Sequence, residues 1–243
     1  MNQHDRIKNY YDRFAEIYDT KHGVILAGQS YNFKNYYEPF LKKVLPQSGT
    51  ILELGCGTGV YTKWLMERRL QVIGMDISSE MIKQAKRRCP NALFYQGDCE
   101  NPGAYISTKE LQNGFDAVVG INTFSYYVHK ETALLNYRKL LKPNGHFIVI
   151  DMNGTCPYYQ WMSWLNKNEM REWLAQIKES NRKTIALLFQ KTDFQLKTLE
   201  HFSFIPNGVG PSTVLLLQPV DKILSSIPAA RKFSMRMAYS ASL

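Results

Sequence analysis

The chain has little cysteine to work with. Only four of its 243 residues are cysteines (Cys56, Cys89, Cys99, Cys156), none in a C-x-x-C spacing or beside paired histidines. A zinc site or a disulfide framework is therefore not expected, and the thiols read as reduced. No apolar run approaches about 18 residues, which excludes a membrane-spanning helix. The opening stretch, MNQHDRIKNYYDRF, is charged and has no apolar signal segment, so export is not expected and a cytoplasmic location is. There is no internal repeat and no low-complexity tract. No segment combines repeated arginine with interleaved aromatics in the manner of an RNA-binding module, so a nucleic-acid partner is not expected. The formal net charge of +9 suits an acidic substrate, an anionic surface or nucleic acid alike. It comes from scattered lysines and arginines with small clusters at 83–88 and at Arg231, Lys232 and Arg236. The first cluster lies on an expected helix, where a solvated face is the plain reading.

What is present is an ordinary globular composition, 44% hydrophobic, in a chain long enough for one large α/β domain or a domain with an insertion. Ile7, Tyr10, Tyr11, Phe14, Ile17 and Tyr18 fall at helical spacing and predict an amphipathic leading helix over 5–20. Strands are expected at 50–54, 71–75, 92–95, 115–121 and 146–150, with helices at 60–69, 79–88 and 131–141 between them. Phe115 to Ile121 is apolar and β-branched throughout, as a strand covered on both faces should be. Strands separated by helix-length segments imply a doubly wound, mostly parallel sheet with ligands at the carboxyl ends of its strands. After residue 152 the pattern changes. Residues 156–182 carry Trp161, Trp164, Trp173, Tyr158 and Tyr159 and read as a helical insertion whose aromatics serve packing first and recognition second. Two late alternating stretches, 194–205 and 231–242, predict an antiparallel hairpin on the sheet edge, which brings the sheet to seven strands.

The chemistry gathers at the strand ends. The run Glu53-Leu54-Gly55-Cys56-Gly57-Thr58-Gly59 follows the first strand. Its glycines allow a tight turn and close backbone approach to a ligand, and the following helix points free N–H groups at it. The dinucleotide fingerprint G-x-G-x-x-G fails because Val60 stands where the third glycine belongs, and no G-K-[ST] completes a phosphate-binding loop. Glu53 offers a carboxylate suited to an ammonium group. Asp76 ends the second strand, where it can accept from ribose hydroxyls or cap the next helix. Asp98 follows the third strand, where it can accept from an adenine amino group or serve a turn.

Glu53 to Gly59, Asp76, Asp98 and 115–122 together resemble the motifs of class I S-adenosylmethionine (SAM)-dependent methyltransferases of the small-molecule type. Residues 140–147 (LLKPNGHF) are similar to that family's turn before the fifth strand, and 10–19 (YYDRFAEIYD) to its lid helix. The resemblance is clear over 45–150 and implies a Rossmann-like methyltransferase domain. Residues 1–40 would form the lid, 45–152 the SAM-binding core, 153–192 the insertion and 193–243 the C-terminal strands. It also implies SAM as methyl donor and S-adenosylhomocysteine as product. Glu53, Gly55, Cys56, Gly57, Thr58 and Gly59 would hold the methionine end, Asp76 the ribose, and Asp98 and Cys99 the adenine. Ile77 and Met81 would pack on the adenine face, Tyr11 and Tyr18 would close above, and Asn122 and Tyr127 would complete the site.

The expected acceptor wall is 122–129 (NTFSYYVH). A D/N-P-P-Y/F nucleic-acid amino-methyltransferase would carry a proline pair after Asn122, and Thr123 and Phe124 stand there instead. His129 is the candidate general base by residue type, and equally a helix cap. Asp151 can orient an acceptor or serve a turn. Tyr126 and Tyr127 can present π faces to a cation. No metal is expected, since no carboxylates gather near Asp151 in sequence. The leading reading is methylation of N or O on a small metabolite. The alternatives are a quinone, lipid or tRNA acceptor, and a catalytically silent SAM-binding module. The sequence carries no sign of oligomeric state.

Overall fold

The computed structural model describes residues 3–21, 27–165 and 177–243. Helices open the chain: α1 (Gln3–Phe14), α2 (Tyr18–Lys21) and α3 (Ala27–Asn32), the last continuing through a π-helical stretch, Phe33–Tyr37, into α4 (Glu38–Val44). The single helix expected over 5–20 is broken by a turn at 15–17, where the Ile17 N–H donates to the Phe14 carbonyl. Alternating elements follow: β1 (Gly49–Leu54), α5 (Val60–Glu67), β2 (Leu70–Asp76), α6 (Ser79–Arg88), β3 (Leu93–Gln96), α7 (Thr108–Asn113), β4 (Phe115–Ile121), α8 (Lys130–Leu140) and β5 (Leu141–Met152). The last third holds α9 (Pro157–Leu165), α10 (Arg182–Lys191), β6 (Gln195–Phe202), α11 (Pro211–Ser226), α12 (Pro228–Arg231) and β7 (Arg236–Ser242).

The seven strands form one sheet in the order β3-β2-β1-β4-β5-β7-β6. β1 to β5 are parallel, and β7 runs antiparallel to both of its neighbours. Side chains alternate across the sheet as the pleat requires. Leu52, Leu54, Val118, Phe147 and Val149 enter the core under α8 and α10. Ile51, Ala117, Val119, Ile148 and Ile150 enter the other, with Tyr37, Phe40, Leu41 and Leu65. Both faces are covered, so β1, β2 and β4 are buried along almost their whole length.

The expected antiparallel pairing of the last two strands is present, but a tight turn does not join them. Helices α11 and α12 intervene, and β7 returns between β5 and β6. Pro211 at the first turn of α11, a position that tolerates its missing N–H, marks a helix start. β5 begins earlier than expected, at Leu141, because Asn144 (φ +63°) takes a left-handed turn inside the strand. Within the insertion, Tyr159 packs with Met152, Cys156, Ile177 and Met235, while Trp161 and Trp164 are exposed. Trp173 lies outside the described residues.

The strand order reverses between β1 and β4, so their carboxyl ends diverge and open a crevice, the usual ligand position in such sheets. The loops following β1, β2, β3 and β4 all meet there.

Candidate active site

A cavity of about 370 Å³ occupies this crevice. Its floor is the turn after β1. Gly55, Gly57 and Gly59 all have positive φ, and Gly59 begins α5. A Cβ on Gly55 would lie 2.4 Å from Thr123 Oγ1, so only glycine lets this turn close against the loop after β4. A Cβ on Gly57 (φ +53°) would meet nothing within 4 Å, because it would project into open space. The turn is clamped from outside: Thr58 Oγ1 donates to Asp19 Oδ1 (2.6 Å), and Arg88 donates to the Thr58 carbonyl (2.7 Å) and pairs with Asp19.

Asp76 stands at the end of β2 and lines the cavity. Its carboxylate accepts from the N–H groups of Gly57 and Ser78, each at 2.9 Å. It therefore ties the glycine turn to the next loop, while Ser78 Oγ caps α6 by accepting from Met81 N–H. Burial pushes the Asp76 carboxyl up to about 6, although the two backbone donors oppose that shift. Asp98 also lines the cavity and accepts from the Glu100 N–H at 2.9 Å, so it serves its turn and faces the cavity at once. Ile77, Met81 and Cys99 supply apolar wall beside it. Asn122, with φ +56°, presents a buried Oδ1 that has no hydrogen-bond partner among the described residues. An orphaned acceptor there fits an incoming donor such as an ammonium group.

Helices α1 and α2 cover the crevice. Asp12 accepts from Ser78 Oγ (2.6 Å) and the Glu80 N–H (3.3 Å). His4 lies 3.0 Å from Glu100 and 3.5 Å from Asp98. The Tyr11 ring sits 6.0 Å from that of Tyr18 and 6.2 Å from that of Tyr126. Burial raises the phenol pKa of both Tyr11 and Tyr18, which keeps them neutral. His4, Asp98 and Glu100 form a trio capable of holding a metal ion, assembled from distant parts of the chain. Glu100 is also engaged by the N–H groups of Val128 (2.9 Å) and His129 (2.6 Å).

Among the residues singled out from sequence, the cavity wall includes Tyr11, Tyr18, Gly55, Cys56, Gly57, Thr58, Asp76, Ile77, Met81, Asp98, Cys99, Asn122, Tyr126 and Tyr127. Glu53, Gly59, His129 and Asp151 stand outside that wall. Glu53 is 2% exposed and accepts from Thr62 Oγ1 of α5. His129 is exposed just before α8. Asp151 is buried and accepts from Ser125 N–H (2.7 Å) and Ser125 Oγ (2.8 Å), which shapes the loop after β4. His129→Ala is accordingly expected to leave SAM affinity within about twofold of the parent by calorimetry.

Burial raises the Glu53 carboxyl to about 8. Between roughly pH 4.5 and 8 the folded chain thus holds a proton that the unfolded chain releases, so stability falls as pH rises through that window. Thermal melts of the ligand-free protein should show this decline, worth on the order of a few kcal/mol. Glu53→Gln, which mimics the protonated form, should flatten most of it. A parent curve that is level or rises over pH 5–8 would contradict the burial argument.

The sequence offered no sign of Gln29, Tyr61, Glu100, Asn207 or Arg236, which also line the cavity. They come from α3, α5, the start of β7 and loops far apart in the chain. Only the charge cluster at 231–236 hinted at one of them.

The seven-stranded order and the crevice at its reversal point are those of the Rossmann-like methyltransferase fold. Residues 52–147 match the family model described as a methyltransferase domain. The chain is 26% identical over 144 residues to a demethylmenaquinone methyltransferase of Thermotoga maritima, covering 58% of this chain and 59% of that one. It is 30% identical over 145 residues to an uncharacterized methyltransferase of Geobacillus kaustophilus, covering 58% and 61%. The chain thus spans about six tenths of the length of these curated relatives. Its fold is shared with magnesium protoporphyrin IX methyltransferase from Synechocystis with bound S-adenosylhomocysteine (TM-score 0.63, 12% identity, 99% of each chain). Residues 52–147 are thus similar in sequence to methyltransferase domains, and the chain shares the fold of SAM-dependent methyltransferases.

Proposed function

We propose that this chain transfers a methyl group from SAM to a nitrogen or oxygen of a small-molecule acceptor. One observation carries the reading: a single cavity is lined by the glycine backbone, Asp76 and Asp98 and also by Tyr126, Tyr158, Tyr159, Met152, Met235 and Arg236, which we take as its donor and acceptor compartments. The first part suits a nucleoside with an amino-acid tail, and the second has room and apolar surface for an acceptor.

When bound, SAM supplies an electrophilic methyl on a positively charged sulfur. In this reading the turn 55–58 and Asn122 hold the methionine end, Asp76 accepts from the ribose hydroxyls and Asp98 from the adenine amino group. Ile77 and Met81 pack on the adenine. Tyr11 and Tyr18 exclude water from above, and Tyr126 borders both compartments. The chain's contribution is then mainly positioning and desolvation. Among the described residues, the titratable side chains of the acceptor compartment are tyrosines and Arg236. Burial raises the phenol of Tyr159, so it offers no base near neutrality. The acceptor therefore brings its own lone pair, as a neutral amine or an oxygen already ionised.

The direct test is calorimetry with SAM and S-adenosylhomocysteine, followed by mass-spectrometric detection of methylated products across amine and hydroxyl acceptors. Micromolar binding with turnover supports the proposal. Binding without transfer to any acceptor would leave a SAM-binding module, and absence of binding would remove the reading altogether.

A quinone or lipid acceptor is a second reading, supported by the name of the Thermotoga relative. It is also supported by Leu216, Val220, Ile223 and Ile227, an exposed stripe that begins on α11. Co-sedimentation with anionic liposomes, lost in Leu216→Glu, would favour it.

A further inference from the structure

Arg236 is an unusual member of the cavity wall. It begins β7, where it pairs in register with Met152 at the end of β5 and Phe202 at the end of β6. It is 6% exposed, yet among the described residues no carboxylate comes within 4 Å of it to form an ion pair. Its Nε donates to Tyr37 Oη (2.9 Å), and its Nη1 donates to Tyr159 Oη and to the Met235 carbonyl (3.3 Å). These partners are neutral. They satisfy three of the five N–H donors of a guanidinium and cancel none of its charge, while the two donors on Nη2 have no partner among the described residues. Asp151 on the adjacent strand attracts the guanidinium through space but makes no ion pair with it within 4 Å, and accepts instead from Ser125 and from the Met152 N–H (2.7 Å). Burying a cation without a direct ion pair costs several kcal/mol, a cost that packing alone does not require at the mouth of a cavity.

We infer that Arg236 is the docking point for an anionic group, a carboxylate or a phosphate, on the methyl acceptor. The tyrosine hydroxyls fix the guanidinium so that its free edge is presented to the ligand, and planar donors of this kind favour bidentate anion recognition. Two strand spacings separate β7 from β4, so the anion sits roughly 10 Å along the rim from the loop carrying Asn122. That distance suits an acceptor with an aromatic or similarly sized body between its anion and its methylated atom, lying against Tyr158, Tyr159 and Met235. This inference rests on the proposed methyl transfer and narrows its substrate class.

The experiment uses the full chain saturated with S-adenosylhomocysteine and measures by calorimetry the binding of 4-aminobenzoate, 4-hydroxybenzoate, their methyl esters, and phenyl phosphate. The expected result is that the acids, or the phosphate, bind at least about tenfold more tightly than the esters. Which of the two anions binds assigns the source. Arg236→Met should abolish that preference, Arg236→Lys should retain part of it, and S-adenosylhomocysteine affinity should stay within twofold in both. Equal binding of acids and esters by the parent protein overturns the inference, as does a preference that survives Arg236→Met or the absence of any anion binding. If Arg236→Met fails to fold, the acid-to-ester comparison in the parent and the Lys variant still decides the matter. Loss of S-adenosylhomocysteine binding by the parent would instead strike the underlying methyltransferase reading.

Discussion

Gly57→Val is expected to weaken SAM and S-adenosylhomocysteine binding at least about 100-fold, near 2.7 kcal/mol, while leaving a folded protein. The two halves of this expectation have separate causes. Gly57 has φ +53°, and a Cβ there contacts no protein atom within 4 Å. The substitution therefore introduces no internal clash, only the backbone penalty of a β-branched residue in a left-handed turn, about 1–2 kcal/mol. A 243-residue domain usually tolerates that loss. The valine methyls must then occupy the space into which the turn opens, and that space is the cavity. Gly57→Ala should fall between parent and valine. Calorimetry gives the affinity and a thermal melt the fold. A valine variant that binds S-adenosylhomocysteine as the parent does would show that the ligand does not lie over this turn.

Asp76→Ala is expected to cost SAM affinity on the order of 30- to 100-fold, and to lower stability as well. The carboxylate bridges Gly57 N–H and Ser78 N–H at 2.9 Å each, and its removal strands two donors in a site where the carboxyl is only 8% exposed. Buried unsatisfied donors cost about 1–3 kcal/mol each. The turn that depends on this bridge loosens at the same time as the proposed ribose partner is lost. Asp76→Asn keeps one acceptor oxygen and should be intermediate. The pH dependence gives an independent check. Since burial lifts this carboxyl to about 6, protonation below that pH removes acceptor capacity, so parent affinity should fall as pH drops from 7 to 5. Asp76→Ala should lack that fall. An unchanged affinity across pH 5–7 in the parent would argue that another group receives the ribose.

How far the sequence could be read depended on how local each signal was. β1, β2 and β4 announced themselves as short apolar runs because both faces of each are covered, and the glycine turn is a contiguous motif whose spacing survives without any knowledge of the fold. Side-chain direction was harder. Glu53 reads as a rim carboxylate because it precedes the glycines, but the pleat points it to the Ile51 side of the sheet, where Thr62 of α5 meets it. His129 occupies the expected loop, yet its backbone is drawn to Glu100 and its ring faces outward. The rest of the cavity wall was illegible for a different reason. Gln29, Asn207 and Arg236 come from distant parts of the chain and meet only at the cavity, and nothing near Arg236 in the chain separates it from Arg231 or Lys232. The helical connection between β6 and β7 was missed because the alternation on either side is the same whether a turn or 30-odd residues lie between.

β7 follows the other six strands of the sheet in the chain and is the last but one across it. Until residues 236–242 emerge, β5 presents an open edge on one side and β6 has no strand to pair with, so the emerging polypeptide carries two unpaired strand rims at once. Completion therefore waits on a non-local step, and the same step delivers Arg236 to the crevice. The glycine turn and Asp76 are assembled from β1, β2 and their loops alone, whereas the wall that holds Arg236 is complete only once β7 is in place.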